Sequence, residues 1–192
     1  MKVKILCEQW GVIRDAFIAA GHDAVSVDIE PTRVPGPHIQ DDALNHLDDG
    51  DDLIIANPEC KYVCFSGEQW RTPGHRNYIK GHFRKRIKGM GFLMKIMNAK
   101  CDLICVENSH SVFLNRYFRP SDQIVQPWFF GDPEQKQTHL WLKGLPPLMA
   151  TGYPDHINHS THMMAPGPER SILRAKTFKG LADAMVNQWG SL

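Results

Sequence analysis

The chain has 192 residues, of which 42% are hydrophobic and 22% charged, and its formal net charge is +1. These values are ordinary for a globular protein, so they exclude a disordered or fibrous chain and predict one domain with its own hydrophobic core. No apolar run approaches the roughly 20 residues that cross a bilayer, and the first residues do not resemble a secretory signal.

The cysteines indicate a reducing compartment. The five thiols (Cys7, Cys60, Cys64, Cys101 and Cys105) form an odd set without the spacing of a small disulfide-rich domain. We therefore expect free thiols in a cytoplasmic protein with no membrane segment.

The first half of the chain predicts three strands and two helices. Short apolar runs at residues 3–6, 24–27 and 53–56 are typical of buried strands. Residues 12–20 carry apolar side chains at helical spacing, and Gly21 suits the end of a helix. A proline-rich loop is expected at residues 31–37 and a short helix at 41–47.

The second half continues the alternation. A helix is predicted at residues 79–98, a strand at 103–106 and a final helix at 179–189. Further strands are predicted at 123–130 and 138–142, followed by a loop at 144–154. Strands that alternate with helices predict an α/β fold with a doubly wound, mostly parallel sheet and helices on both faces.

A candidate nucleophile follows the third strand. Asn57-Pro58 ends the strand sharply, because proline lacks a backbone donor and biases the preceding residue away from helix. Cys60 comes directly afterwards, at the end of a strand, where ligands gather in open α/β sheets. The alternative is a buried structural cysteine, since free cysteines are among the most buried residues.

A basic stretch separates this strand from the next. Residues 69–101 contain nine Lys and Arg residues and no Asp or Glu, so the rest of the chain is acidic. This distribution indicates a phosphate-bearing partner, with a solvated helix face as the alternative. The candidate contacts are Lys61, Arg71, Arg76, Lys80, Arg84, Lys85 and Arg86.

The ends of the first strands suggest a nucleoside site. The turn from Cys7 to Gly11 lies between a strand and a helix, although its single glycine does not match the dinucleotide fingerprint. Asp28 ends the second strand, where a carboxylate can accept hydrogen bonds from ribose hydroxyls. Asp41 or Asp42 follows the next connection and could accept a hydrogen bond from an adenine amino group.

Ordered motifs give a resemblance to a known family. They are Cys7 to Phe17, Gly21 to Ala24, Pro35 to Gln40, Asn57-Pro58-Glu59-Cys60, Val106-Glu107-Asn108, Gln126 to Gly131, Leu140 to Leu148, Ala165 to Arg170 and Lys176 to Ala182. In this order they resemble a compact, phage-type relative of the DNA cytosine-5 methyltransferases. The resemblance implies one methyltransferase-like domain over residues 1–192 and, if a phage encodes it, the cytoplasm of the host cell.

The resemblance also implies a cofactor, a substrate and catalytic residues. S-adenosylmethionine would methylate carbon 5 of cytosine in DNA, with Cys60 as nucleophile and Glu107 as its partner. Lys61 or the basic stretch would favour the Cys60 thiolate. The implied cofactor residues are Cys7, Glu8, Gly11, Asp28, Asp41, Asp42, Asn57, Phe178 and Gly180.

Several positions depart from the family pattern. Glu59 replaces a common proline, Lys61 a common glutamine, and Ser109 an apolar residue or proline. Trp10 stands where a small residue is expected, which could tighten the cofactor pocket. Little more than thirty residues separate Gly144 from the last motif, too few for a full target-recognition domain. Duplex recognition would then rest on the basic segment at about residues 67–100.

Other functions stay open at this point. Asn57-Pro58-Glu59 is similar to the turn of amino-methyltransferases, which use no thiol, and the substrate could be single-stranded DNA or a free pyrimidine nucleotide. A catalytically silent nucleic-acid-binding protein would keep the same fold. Zinc is disfavoured because the spacings of two candidate groups match no common structural finger. Those groups are Cys60, Cys64, His75 and His82, and His156, His159 and His162.

Overall fold

A seven-stranded sheet in the order β3-β2-β1-β4-β5-β7-β6 forms the centre of the protein. The computed structural model describes residues 1–65, 67, 72–75 and 78–192, apart from the side chain of His162. The strands are β1 Lys2–Leu6, β2 Asp23–Asp28, β3 His38–Gln40, β4 Leu53–Ala56, β5 Leu103–Ser109, β6 Gln123–Val125 and β7 Thr138–Lys143. β1 to β5 run parallel, whereas β7 is antiparallel to β5 and β6. The carboxyl ends of β1, β2, β4 and β5 therefore share one edge of the sheet.

Helices cover both faces of this sheet. They are α1 Val12–Ala19, α2 His82–Met97, α3 Val112–Tyr117, α4 Ser160–Met163, α5 Arg170–Ala175 and α6 Lys179–Trp189. α1 and α6 form one apolar core with Phe17, Met185 and Trp189, and α2 and α3 form a second core with Leu93 and Leu114. The predicted doubly wound, mostly parallel α/β fold is confirmed.

Continuous apolar runs define the middle of the sheet. All four residues of β4 are fully buried, and so are Val3, Ile5 and Leu6 of β1. A strand with helices above and below it has no solvent-facing side, so it needs apolar side chains at successive positions. Each fully buried Ile or Leu contributes about 1.5–3 kcal/mol relative to an exposed one.

A fully buried arginine ties the first helix to the loop before β3. The guanidinium of Arg14 donates from Nε to Asp15 Oδ1 at 2.7 Å, from Nη1 to Ser26 Oγ at 3.2 Å and from Nη2 to the Pro35 carbonyl at 3.0 Å. Gly11 has a φ of 63°, and a Cβ at that position would come within 2.3 Å of the Arg14 guanidinium. The turn between β1 and α1 therefore requires glycine both for its backbone conformation and for space.

The structure corrects three sequence-based boundaries. β5 continues through Ser109, so Glu107 lies inside the strand rather than at its end. β6 stops at Val125, and a 3-10 turn follows at Pro127–Phe129. α2 begins at His82, and its buried residues include Leu93 and Ile96. Among the described residues, no helix has the length and apolar character that crossing a membrane requires.

Candidate active site

The turn after β4 is fixed by the neighbouring strand. Pro58 is buried, and its carbonyl accepts a hydrogen bond from Asn108 Nδ2 at 2.9 Å. Asn108 is only 2% exposed, and its Oδ1 accepts from the Ser109 backbone N–H at 2.9 Å. Because β4 and β5 are paired parallel strands, this amide locks the turn that carries Cys60 against the end of β5.

Cys60 is half-buried and begins one turn of helix. Its carbonyl accepts from the backbone N–H of Val63 at 3.0 Å and of Cys64 at 2.8 Å. This turn brings the Cys64 side chain into hydrogen-bonding contact with the Cys60 thiol. Cys64 Sγ in turn donates to the Lys61 carbonyl at 3.7 Å, which leaves a sulfur lone pair to accept from Cys60.

The environment of Cys60 favours the thiol over the thiolate. The hydrogen bond with Cys64 and then burial raise the pKa of Cys60 well above its usual range, and the Glu107 charge raises it further. A hydrogen bond from the Ser109 hydroxyl acts in the opposite direction and lowers that pKa. The expectation that Lys61 or the basic stretch lowers the Cys60 pKa is wrong, because the contact with Cys64 and burial outweigh any such effect.

Glu107 and Ser109 present their side chains on the same face of β5. Residues two apart on a strand point in one direction, and both side chains interact with Cys60, one by charge and one by a hydrogen bond. Glu107 is half-buried, whereas Glu59 beside the cysteine is exposed. The thiol and the carboxyl group predicted from separate motifs therefore lie at the same edge of the sheet.

A small cleft opens beside this site, at the ends of β1 and β2. It has a volume of about 50 Å³ and is lined by four of the predicted cofactor residues, Cys7, Glu8, Asp28 and Asn57. Asn57 Oδ1 is buried in the cleft wall and has no hydrogen-bond partner among the residues that the structure describes. An unsatisfied buried acceptor of this kind costs stability, so it indicates a donor that a ligand would supply.

The carboxylates of the cleft are perturbed by burial. Glu8 accepts hydrogen bonds from the backbone N–H of Ile13 at 2.8 Å and of Arg14 at 3.3 Å, which caps α1. Burial nevertheless raises the pKa of Glu8 to about 6, and burial also raises the pKa of Asp28. Cys7, with a left-handed φ of 60°, has its pKa raised to about 12 by burial and by Asp28 and Asp42. The cleft is thus lined by buried acidic groups.

The remaining predicted cofactor residues do not line the cleft. Gly11 accommodates Arg14, Asp41 accepts from Asn45 Nδ2 at 3.2 Å, and Asp42 caps a 3-10 turn through the Leu44 N–H at 2.9 Å.

The two predicted cofactor residues near the start of α6 lie on another side of α1. Phe178 lines a larger crevice of about 700 Å³ that contains neither Cys60 nor Asn57. Gly180 donates its N–H to Asp132 Oδ2 at 2.7 Å, and a Cβ at that position would meet the Phe130 carbonyl at 2.1 Å. The requirement for glycine at residue 180 is therefore explained by helix packing.

The segment around α5 covers the cleft. Ile172, Ala175 and Thr177 line it on this side, and Trp10 Nε1 donates to the Ile172 carbonyl at 3.1 Å. The Lys176 ammonium lies 5.2 Å from the Trp10 ring centre. No residue of α5 is buried, so this cover is held by a few surface contacts.

Most described members of the predicted basic group are exposed. Lys61, Lys80, Arg84 and Lys85 all face solvent, whereas Arg71 and Arg76 lie outside the described residues. Arg86 is only 3% exposed, donates from Nε to the Tyr62 carbonyl at 3.0 Å and lies 4.6 Å from the Phe113 ring centre. Arg86 is therefore a structural residue that fixes α2 against the Cys60 turn, which corrects its predicted role as a nucleic-acid contact.

The zinc alternatives gain no geometric support from the described part of the chain. There, no three His, Cys, Asp or Glu side chains are grouped as a metal site requires. His82 is 2% exposed and packs edge-on against Tyr62, with ring centres 5.7 Å apart. His156 and His159 are exposed, and the His162 side chain lies outside the described residues.

Comparison with known proteins identifies similar folds. No protein-family model and no curated protein matches the chain. Among solved structures, it is similar to an E. coli protein described as a DNA modification methyltransferase encoded within a prophage, at 16% identity over 87% of this chain and a TM-score of 0.47. The Entamoeba histolytica methyltransferase EhMeth matches at 12% identity over 86% of this chain, TM-score 0.48. The S. pombe Dnmt2 methyltransferase matches at 14% identity over 98%, TM-score 0.45. This chain spans 55%, 60% and 66% of these three proteins, respectively.

Sequence reasoning missed several residues of this site. Ser109 was noted only as a departure from the family pattern, and Cys64 only as a metal candidate. Their contacts with Cys60 depend on how the turn after β4 meets the end of β5. The i, i+4 spacing of Cys60 and Cys64 was the available signal, since residues at this spacing share a face once the turn is helical.

Proposed function

We propose that this protein is an S-adenosylmethionine-dependent methyltransferase that methylates carbon 5 of cytosine in DNA through a covalent adduct at Cys60. One observation carries the proposal: the Cys60 thiol lies at the carboxyl end of β4, in contact with Ser109 and within the field of Glu107 on β5. A nucleophile beside a hydrogen-bond donor and a carboxyl group is the set that an addition to a pyrimidine ring requires.

The three side chains have distinct roles in this reaction. The Cys60 thiolate adds to carbon 6 of the base, and the Glu107 carboxyl group lies at ring nitrogen 3, where it stabilises the charge that develops. Carbon 5 then has the electron density to accept a methyl group. Loss of the carbon 5 proton to a base and departure of Cys60 from carbon 6 restore the ring. Ser109 stabilises the thiolate both before attack and after release.

The cleft beside Cys60 suits the nucleoside part of the methyl donor. S-adenosylmethionine supplies an electrophilic methyl sulfonium when it is bound. Asp28 could accept hydrogen bonds from ribose hydroxyls, and the unpaired Asn57 Oδ1 offers an acceptor to an amino group. The volume of about 50 Å³ is far below the several hundred Å³ of typical ligand pockets, so α5 must move away from Trp10 for the donor to enter.

DNA is the proposed substrate because exposed positive charge adjoins the nucleophile. Lys61 follows Cys60 directly. Tyr62 is the next residue of that turn, and its Oη accepts a hydrogen bond from Lys85 Nζ of α2 at 3.3 Å. Phosphate contacts by such side chains supply most non-specific affinity for nucleic acid. We further propose that residues 1–192 act as one methyltransferase domain without a full target-recognition domain.

The reactivity of Cys60 is expected to respond in opposite directions to its two hydrogen-bond partners. Cys64→Ala removes the contact that raises the Cys60 pKa, so alkylation of Cys60 by iodoacetamide at pH 7.5 should accelerate about three- to tenfold. Ser109→Ala removes the donor that stabilises the thiolate and should slow alkylation by a similar factor. In every variant the rate should rise with pH, because the thiolate fraction increases up to the raised pKa. Mass spectrometry of the Cys60 peptide separates this thiol from the others, and equal rates in both variants would contradict the assigned contacts.

Analysis of the methylated product tests the reaction itself. The protein is incubated with DNA and isotope-labelled S-adenosylmethionine, and the DNA is then digested to nucleosides. We expect the label in 5-methylcytosine. Label in an amino-methylated base would replace the proposed chemistry, whereas the absence of label together with no calorimetric heat of donor binding would identify a silent nucleic-acid-binding protein.

Amino methylation is a second candidate, favoured by the unpaired Asn57 Oδ1. In a turn of the Asn-Pro type, this oxygen and the following carbonyl would accept the two hydrogens of a target amino group. Here the Pro58 carbonyl already accepts from Asn108 at 2.9 Å, and this bond competes with a target amino group for the same oxygen. The ring-carbon reaction therefore has the stronger geometric support.

A further inference from the structure

A column of stacked rings runs from the core to the surface beside Cys60. Trp141 and His139 are 0% and 1% exposed and have ring centres 6.1 Å apart. His110 stacks on His139 at 5.2 Å and 20°, and Phe65 stacks on His110 at 5.6 Å and 25°. Phe65 closes the column at its outer end and is 58% exposed.

The outer ring is held in place by the catalytic loops. The Phe65 backbone N–H donates to the His110 carbonyl at 2.8 Å, which joins the end of the Cys60 turn to the end of β5. His110 follows Ser109, the residue whose hydroxyl donates to Cys60. The backbone bond and the stacking on His110 together hold the Phe65 ring at the junction of the Cys60 turn and the end of β5, with 58% of the residue exposed.

Positive charge gathers around Tyr62 on the same turn as Phe65. The Lys61 and Lys85 ammonium groups lie 5.4 Å and 5.0 Å from the Tyr62 ring centre, three residues before Phe65. The first turn of α2 adds Phe83, which is 64% exposed and precedes Arg84 and Lys85. Exposed rings interleaved with Lys and Arg are the arrangement that binds unpaired bases and their phosphates.

We propose that Phe65, stacked on His110 and three residues after the Tyr62 ring that Lys61 and Lys85 contact, is a stacking surface for an unpaired base, so that this protein binds single-stranded nucleic acid in preference to a duplex. Bases within a duplex cover one another's faces, whereas a single strand can offer a free face to Phe65. The inference deepens the proposed function, because it concerns the strand state of that substrate.

Equilibrium binding without a methyl donor tests this inference separately from catalysis. Fluorescence anisotropy is measured with a labelled 16-nucleotide DNA strand, its duplex and the RNA strand of the same sequence. We expect the DNA or RNA strand to bind more tightly than the duplex. A preference between the two strands identifies the favoured sugar, whereas tighter binding of the duplex would overturn the proposal.

Substitutions at the ring identify the stacking contact. Phe65→Leu keeps an apolar side chain and should weaken single-strand binding about five- to hundredfold, and Phe65→Tyr should retain affinity close to that of the unsubstituted protein. Tyr153→Leu is the matched control and should not change single-strand affinity. Tyr153 is 69% exposed, and its ring centre lies 6.0 Å from that of Trp128. Lys85→Gln should lower the slope of log affinity against log salt by about 0.7.

The outcomes separate this inference from the proposed function. Because binding is measured without chemistry, a protein that fails to methylate can still discriminate strand from duplex. Unchanged strand affinity in Phe65→Leu overturns the stacking surface, even if 5-methylcytosine is formed. Thermal unfolding of each variant checks that the fold is retained, and if Phe65→Leu does not fold, the comparison of strand and duplex in the unsubstituted protein decides the proposal.

Discussion

Replacing Cys60 with alanine is expected to lower the rate of methyl transfer to DNA by at least about 10⁴-fold. Without the thiolate, carbon 5 of cytosine has no route to the electron-rich adduct, and the neighbouring Cys64 thiol is buried and donates to the Lys61 carbonyl. The rate is measured as incorporation of labelled methyl groups under single-turnover conditions. Donor binding by calorimetry should be nearly unchanged, because Cys60 does not line the cleft at β1 and β2.

A fluorinated base gives a second readout of the same prediction. When carbon 5 carries fluorine, methyl transfer leaves no proton there to be removed, so Cys60 cannot depart from carbon 6. The unsubstituted protein should then form a protein–DNA complex that survives denaturing electrophoresis, and Cys60→Ala should not. Cys101→Ser is the matched control, since Cys101 is buried at the opposite end of β5 and donates to the Leu103 carbonyl at 3.2 Å. Full activity in Cys60→Ala would rule out covalent catalysis.

Elements with a clear apolar pattern could be predicted from the sequence because local pattern and burial agree. β4 and α6 begin and end at the predicted residues, and Leu181, Met185 and Trp189 form the buried face of α6 as expected. The short elements β3, α3 and α5 were not predicted. β3 has three residues and α5 has no buried residue, so neither has a hydrophobic period of its own, and their structure depends on neighbouring parts of the fold.

The buried face of α2 shows why hydrophobic spacing can mislead. Apolar side chains at helical spacing in α2 include Ile87 and Met94, which are 42% and 37% exposed. The observed face includes His82 and Arg86, whose polar groups are accommodated beside Tyr62 and Phe113. The Arg86 guanidinium can be buried because it donates to the Tyr62 carbonyl and lies over the Phe113 ring. A search for apolar side chains at helical spacing overlooks such a residue, because it counts Arg as polar.

The candidate site was predicted only where a motif coincided with a strand end. The approach of Cys60 to Glu107 follows from parallel pairing of β4 and β5, which the sequence could predict. The balance between Cys64 and Ser109 could not be predicted, because it depends on the orientation of hydrogen-bonding atoms. Motif position alone likewise assigned Gly180 to the cofactor, although that residue serves the packing of α6 against Phe130.

Replacing Arg14 with leucine is expected to lower the free energy of unfolding by about 3–5 kcal/mol. The Arg14 side chain is fully buried, and its loss would leave the Ser26 hydroxyl and the Pro35 carbonyl without their charged donor. The guanidinium also packs closely against Gly36, since a Cβ added to Gly36 would lie 2.4 Å from it. Leucine would leave that space unfilled. Urea denaturation followed by circular dichroism measures the change, and Arg14→Lys, which keeps one charged donor, should lose less.

An ion pair on the surface is the control that separates the loss of a buried guanidinium from the loss of any ion pair. Lys179 Nζ lies 2.5 Å from Asp183 Oδ2, and the Lys179 side chain is 79% exposed. Lys179→Ala should therefore change the free energy of unfolding by no more than about 0.5 kcal/mol. If Arg14→Leu were equally mild, the guanidinium would not be what ties the β1–α1 turn to the loop before β3. The side of the cleft formed by Cys7 and Asp28 would then be held by backbone contacts instead. One such contact is the hydrogen bond from the Cys7 N–H to the Val27 carbonyl at 2.7 Å.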